Sequence, residues 1–174
     1  VVGTAVTIAI PSADSTLLHH AVGLLRPGDI LVVDRLGDDR HACWGGGVTL
    51  AAKAAGAVAG IVDGPCTDLQ EIEDSDFPMW ARGLSPITTR LYDLGGAFNV
   101  PVSCGGVVVT PGDAILADDS GVLVLPPVEV RDVAEKALAI QERSRVREAK
   151  IKAGEHRLGE LSGASEKVLS RLKG

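Results

Sequence analysis

The stretch CWGGGVTLAAKAAGAVAGIVDGPCTD, residues 43–68, carries the residue types best suited to chemistry. Gly45, Gly46 and Gly47 precede a small-residue run, 48–55, that reads as a helix opening at Val48. The first amides of a helix lack intrahelical acceptors and sit at the positive end of its dipole, so such a turn can cradle an anion. The next apolar run, 57–62, reads as a short buried strand, and the loop after it delivers Asp63, Thr67 and Asp68. A carboxylate just beyond a strand can hold a hard divalent cation, because such ions need only one or two protein carboxylates and keep several waters. Together the two features would make a site for a small carboxylate substrate. Plainer readings stand beside this one. Glycines at turns are commonly only turns, and no Gly-Lys-Ser/Thr follows to make a phosphate loop. Asp68, with Glu71 three residues on, also resembles a capping box for a short helix over 69–74.

Other ionisable residues are weaker candidates. Asp34, Asp63, Asp118 and Asp119 fall at expected strand ends, where carboxylates commonly hold turns. Arg82 and Arg90 flank an expected loop, 83–96, which could lay a guanidinium over the site or simply face solvent. His41 and the His19-His20 pair lack metal-ligand spacing and read as surface or core-edge residues. Three isolated cysteines, Cys43, Cys66 and Cys104, fit a reduced, cytoplasmic protein better than a disulfide framework or a zinc site.

The elements that must position these groups follow from pattern. Residues 1–10 read as a strand closed by Pro11, and 16–25 as a helix capped by Ser12 or Ser15. Arg26-Pro27-Gly28-Asp29 reads as a type II turn before a buried strand over 30–33. Strand density returns at 77–81, 100–109, 114–117 and 122–125, with Ser103-Cys104-Gly105-Gly106 as an interruption. From 127 to 153 the pattern is helical, with a last short helix over 164–173. PGDILVVD is echoed by PGDAILAD at 111–118, which is too little for a repeat architecture. Strands with glycine-rich connections and few helices indicate an α/β domain with mixed sheets; the alternation looks too irregular for a dinucleotide-binding or barrel fold.

Composition bounds the rest. A chain of 174 residues suits one domain with a real core, and with 45% apolar but 3% aromatic residues that core must be Val, Ala, Leu and Ile. The net charge of −6 argues against a nucleic-acid surface. The basic run Arg143, Arg145, Arg147, Lys150 and Lys152 is interleaved with Glu142 and Glu148 and lacks aromatics, so it reads as a solvated or subunit-contacting helix. No apolar run approaches the roughly 20 residues needed to span a bilayer. The chain opens inside an apolar run, so residues upstream of Val1 are expected.

The blocks VGTAVTI, RPGDILVVD, WGGGVTLAAKAAGAVAGIVDGPCTD, FPMWARGLSP and VPVSCGGVVVTPGDAILADDSGVLVLP, in this order, resemble the family of the regulator of ribonuclease activity A. That family includes the 4-hydroxy-4-methyl-2-oxoglutarate and 4-carboxy-4-hydroxy-2-oxoadipate aldolases, which also decarboxylate oxaloacetate. The resemblance implies a swivelling β/β/α domain over 1–126, with a C-terminal helical extension, 127–174, reaching a neighbouring subunit of a trimer or hexamer. It implies a metal-dependent carbon–carbon lyase acting on a pyruvyl 2-oxo acid through a metal-stabilised enolate. Gly45, Gly46, Gly47, Val48 and Thr67 would bind substrate, and Asp68 would be the catalytic metal ligand for Mg2+ or Mn2+. Two departures stand out. The family's aldolases carry an arginine where this chain has Thr67, and an acidic residue where it has Gly46. Glu142 is a candidate for the acidic group that a neighbouring subunit supplies in those enzymes. The same resemblance implies an alternative: a non-catalytic regulator that binds a ribonuclease. No phosphorylatable histidine stands in GGGVTLAA, which disfavours a phosphocarrier.

Overall fold

Four parallel strands carry the chain back and forth across the first unit: β1 (Val2–Ala9), β2 (Asp29–Asp34), β3 (Ala59–Cys66) and β4 (Met79–Leu84). Three short helices connect them in turn, α1 (Thr16–Val22), α2 (Gly46–Ala54) and α3 (Leu69–Asp74). The computed structural model describes residues 1–172 and separates into two compact units, Val1–Pro127 and a helical unit beginning at Val128. After β4, a loop leads to β5 (Ala97–Phe98), the hairpin β6 (Val102–Cys104) and β7 (Val107–Val109), and the pair β8 (Ala114–Asp118) and β9 (Gly121–Leu125). The sheet order is β4-β3-β2-β1-β8-β9, with β8 antiparallel to β1 and β9 antiparallel to β8. The result is an α/β fold with a mixed sheet, as expected.

The strand–helix alternation over the first 84 residues is more regular than the sequence suggested. The helices hold 7, 9 and 6 residues, too few for an apolar stripe to repeat and announce itself. β3 also runs four residues past Val62. Asp63-Gly64-Pro65 looks like a turn, but Pro65 sits beside a register shift against β4, where a missing N–H is tolerated. Asp63 is therefore a strand residue and does not belong to the loop that carries Thr67 and Asp68. Gly105 and Gly106, read as an interruption, are the two-residue hairpin between β6 and β7; both have positive φ, 61° and 81°, as a type I′ turn requires.

Each face of the sheet has its own core. Leu18, Val22, Val33, Trp44, Val62 and Ile72 pack beneath the three helices. Ile30, Val32, Ile61, Val102, Val109 and Ile115 pack on the other face, under the β6–β7 hairpin. Aliphatic side chains fill both, each contributing roughly 1.5–3 kcal/mol when fully buried. The cap of α1 differs from expectation: Ser15 occupies the N-cap without a side-chain bond, and the Asp14 carboxylate accepts from the Thr16 amide at 3.0 Å.

The second unit consists of α4 (Val130–Lys152), α5 (Leu158–Leu161) and α6 (Ala164–Leu172), with a 3-10 turn at Pro127–Glu129 leading in. α4 buries no residue. Lys173, placed in the last helix by its pattern, lies outside the described residues. Among the described residues no helix is long and apolar enough to cross a membrane.

Candidate functional site

The segment before α2 is fixed by one large side chain. Trp44 is fully buried, donates its indole N–H to Thr49 Oγ1 at 2.9 Å and stacks on Phe77 at 6.2 Å. Its carbonyl accepts the Thr67 amide at 2.9 Å, and Trp44 bridges Cys66 in parallel register. The glycine turn is thereby tied to the carboxyl end of β3. Gly45, the N-cap of α2, has an extended backbone (φ −147°, ψ −162°) that any residue can adopt. Glycine is needed there for space: a Cβ would come within 2.8 Å of Thr67 Cγ2 and closer still to the Asp68 carboxylate.

Asp68 sits in the left-handed region (φ 55°, ψ 43°) ahead of α3 and makes no side-chain cap to its own helix, so the capping-box reading does not hold. Its carboxylate turns to α2 instead. Oδ2 accepts the Gly46 amide at 3.1 Å, and Oδ1 accepts a long bond from Thr67 Oγ1 at 3.3 Å. Glu71, one turn into α3, lies where a side chain at position 46 would project. Gly46 is thus engaged from both sides by acidic groups. The amides of Gly47 and Val48 have no acceptor among the described residues and, as the second and third helical positions, no intrahelical one.

These groups open onto a cavity of about 420 Å3, lined by Gly45, Gly47, Val48, Thr67 and Asp68; Gly46 is not on its wall. His19 of α1 and Thr88, Thr89 and Arg90 of the loop after β4 line the same cavity. The sequence had placed the His19-His20 pair outside any site, yet His19 lines the cavity; a helix of seven residues is too short for its pattern to show which way it faces. Between the two flanking arginines the structure decides. Arg90 reaches the cavity, whereas Arg82 ion-pairs with Asp63.

The loop carrying Arg90 is held by Asp14, which is buried. Its carboxylate accepts from Thr16 Oγ1 at 2.7 Å, from Tyr92 N at 3.0 Å and from Leu94 N at 2.9 Å, besides the Thr16 amide. Burial works against the charge, but these hydrogen bonds outweigh it and hold the carboxyl well below the usual carboxylate range. Ala13 O accepts the Arg90 amide at 2.8 Å, and Arg90 O accepts the Ser15 amide at 3.0 Å.

The remaining candidates serve the fold. Asp63 lies beside a second cavity of about 430 Å3 on the other face, pairing with Arg82 and accepting the Gly105 amide at 3.0 Å. Asp63 in turn holds the Arg82 guanidinium above its ordinary value. Cys104, in the same cavity, is pushed up to about 11 by burial and then by Asp63 and Asp34. Asp34 accepts from Leu36 N at 2.7 Å and Ser103 N at 3.0 Å, and Asp118 from Ser120 N at 2.8 Å. His41 Nδ1 contacts Asp38 Oδ2 at 2.8 Å. Cys43 and Cys66 are buried and unpaired, as expected of reduced thiols, and burial pushes Cys43 up to about 11. Glu142 is an exposed α4 residue pairing with Arg145 at 3.5 Å.

Among the described residues no three His, Cys, Asp or Glu side chains converge as a metal cluster. A cation at Asp68 would therefore have at most two such side chains to draw on and would keep much of its water shell. That arrangement suits Mg2+ or Mn2+ and would not suit zinc.

Comparison with known proteins agrees with this architecture. A relative from Halalkalibacterium halodurans, provisionally named 4-hydroxy-4-methyl-2-oxoglutarate aldolase, is 36% identical over 151 residues, spanning 87% of this chain and 71% of its own. A similarly named relative from Ectopseudomonas mendocina is 38% identical over 115 residues, covering 65% and 69%. Among solved structures, Streptomyces coelicolor RraAS2, described as an unusual member of the RNase ES inhibitor RraA protein family, superposes with a TM-score of 0.75. It is 28% identical and covers 85% of this chain and 76% of its own. The RNA-processing inhibitor RraA from Thermus thermophilis gives 0.67 at 29% identity, covering 72% and 75%. The aldolase/RraA family model matches residues 1–124, and the chain belongs to the RraA-like family.

Proposed function

We propose that the protein is a carbon–carbon lyase of the aldolase and oxaloacetate-decarboxylase type, acting on a pyruvyl 2-oxo acid. The observation that carries this reading is the Asp68 carboxylate, seated 3.1 Å from the Gly46 amide at the wall of a cavity lined also by Gly47 and Val48, whose amides have no acceptor among the described residues. The substrate carboxylate accepts from those two amides, where the helix dipole adds to their attraction. Thr67 offers a neutral hydroxyl beside it, weaker than the charged fork of an arginine. Asp68 is the ligand for a divalent cation, Mg2+ or Mn2+, which when bound supplies Lewis-acid stabilisation of charge on the pyruvyl oxygens. Cleavage breaks the C3–C4 bond, leaves its electron pair on the pyruvate half and releases CO2 or, as the C4 hydroxyl gives up its proton and becomes a carbonyl, an oxo acid. A proton added at C3 then gives pyruvate. The same reading makes the working form a cytoplasmic homotrimer or homohexamer, with the C-terminal helices, Glu142 among them, serving a neighbouring copy.

The test is pyruvate formation from oxaloacetate with Mg2+ or Mn2+, before and after chelation, in the wild type and Asp68→Ala. Turnover that needs the metal and is lost in the variant supports the reading. Metal-independent background in both rejects it.

A second reading, a ribonuclease-binding regulator, draws on Thr67 in place of a charged anchor and on the RraA proteins among the structural neighbours. Capture of an RNase E-type partner by the Asp68→Ala variant as well as the wild type, with no lyase activity in either, would favour it.

A further inference from the structure

We infer that Arg90 forms a second carboxylate subsite in this cavity and makes it selective for dicarboxylic over monocarboxylic 2-oxo acids; the inference rests on the reading above for the first carboxylate. Arg90 lines the cavity that also holds the Gly47 and Val48 amides and Asp68. Its guanidinium is aimed by the cavity wall itself, with Nη1 donating to Thr88 Oγ1 at 2.8 Å and to Thr89 O at 3.0 Å. Both acceptors are neutral, so the charge is oriented without being cancelled. Arg35 and Arg82, by contrast, are each committed to a carboxylate, Asp38 and Asp63.

The backbone beneath Arg90 is rigid. It is bonded to Ala13 and Ser15, Thr89 Oγ1 donates to Ser15 Oγ at 2.9 Å, and the following residues hang from Asp14. A preorganised guanidinium loses little entropy when it closes on a carboxylate, and its fork matches that group bidentately. The cavity thus brings helix-start residues, the Asp68 carboxylate and the residue bearing a guanidinium into one lining. A volume of about 420 Å3 lies within the range of small-molecule sites. A four- or five-carbon diacid with a 2-oxo group carries two carboxylates, one for the helix amides and one for the guanidinium.

The experiment compares the full chain and its Arg90→Gln variant with Mg2+ present. It reads kcat and KM for oxaloacetate and the inhibition constants of pyruvate and 2-oxoglutarate. The inference expects KM for oxaloacetate and the constant for 2-oxoglutarate to rise about 10- to 100-fold. The pyruvate constant should move less than about twofold, which also reports that the variant is folded, and Arg90→Lys should recover part of the loss. Equal losses for pyruvate and 2-oxoglutarate, or no loss for either, overturn it. Should the wild type show no turnover, calorimetric titration with 2-oxoglutarate separates the two claims. Binding that depends on Arg90 sustains the subsite while rejecting the lyase, and no binding rejects both.

Discussion

Asp63 and Asp68 stand five residues apart, and their fates differ because they open to different faces of the molecule. Asp63 meets Arg82 and the Gly105 amide beside a cavity walled by valines and isoleucines, and its charge is answered within the fold. Asp68 meets one amide and one distant hydroxyl, beside a cavity lined also by Gly47, Val48 and Arg90, whose amides and guanidinium meet no carboxylate among the described residues. An ion pair that satisfies itself holds structure together. Charges and donors of both signs that line one cavity without answering each other leave it able to bind something else.

Breaking this contrast starts with Asp68. Asp68→Ala should lower oxaloacetate decarboxylation by about 1000-fold, measured by pyruvate release, because the cation loses its protein carboxylate. On the other face, Cys104 should react slowly with an alkylating reagent. With its thiol near 11, labelling at pH 8 should run roughly 100-fold slower than for a free cysteine of ordinary pKa and accelerate toward pH 11. Gly60→Val tests how the site is supported, since a Cβ there would sit 2.8 Å from the Trp44 ring and from Met79 Sδ. Overpacking should cost about 2 kcal/mol in denaturant unfolding.

Asp14→Asn should cost about 2 kcal/mol at pH 7, from weakened bonds to Thr16, Tyr92 and Leu94. Its pH dependence has a definite sign. The folded carboxyl lies below its unfolded value of about 3.9, so its contribution is complete above that pH and is lost as pH falls through the folded value. The stability gap between wild type and variant should therefore begin to narrow below about pH 4 and go on closing as the pH falls further. The smallest effect is the most telling: Asp63→Asn should leave kcat within about twofold while lowering Tm, because its ion pair belongs to the scaffold.

Much of the site was readable in local chemistry. Three glycines before an alanine-rich run and an aspartate past the next strand were enough to bring a glycine turn and a carboxylate together. What one sequence hides is which neighbour answers which charge. Asp68 and Glu71 have capping-box spacing, but the left-handed backbone at Asp68 sends its carboxylate across to α2. Arg82 and Arg90 flank one loop with equal promise, and only β3 running on to Cys66 puts Asp63 beside Arg82. His19 reached the cavity unannounced, because a seven-residue helix has no repeat from which to read its facing.

The irregular segment between β4 and β5 has the composition of a disposable linker, yet its backbone is stitched to Ala13, Ser15 and Ala42 and to the Asp14 carboxylate. A protease must pull several residues into an extended form before it can cut. Trypsin added to the native protein should thus spare the bond after Arg90, exposed side chain notwithstanding, and limited digestion would report the loosening of that stitching before any loss of the sheet.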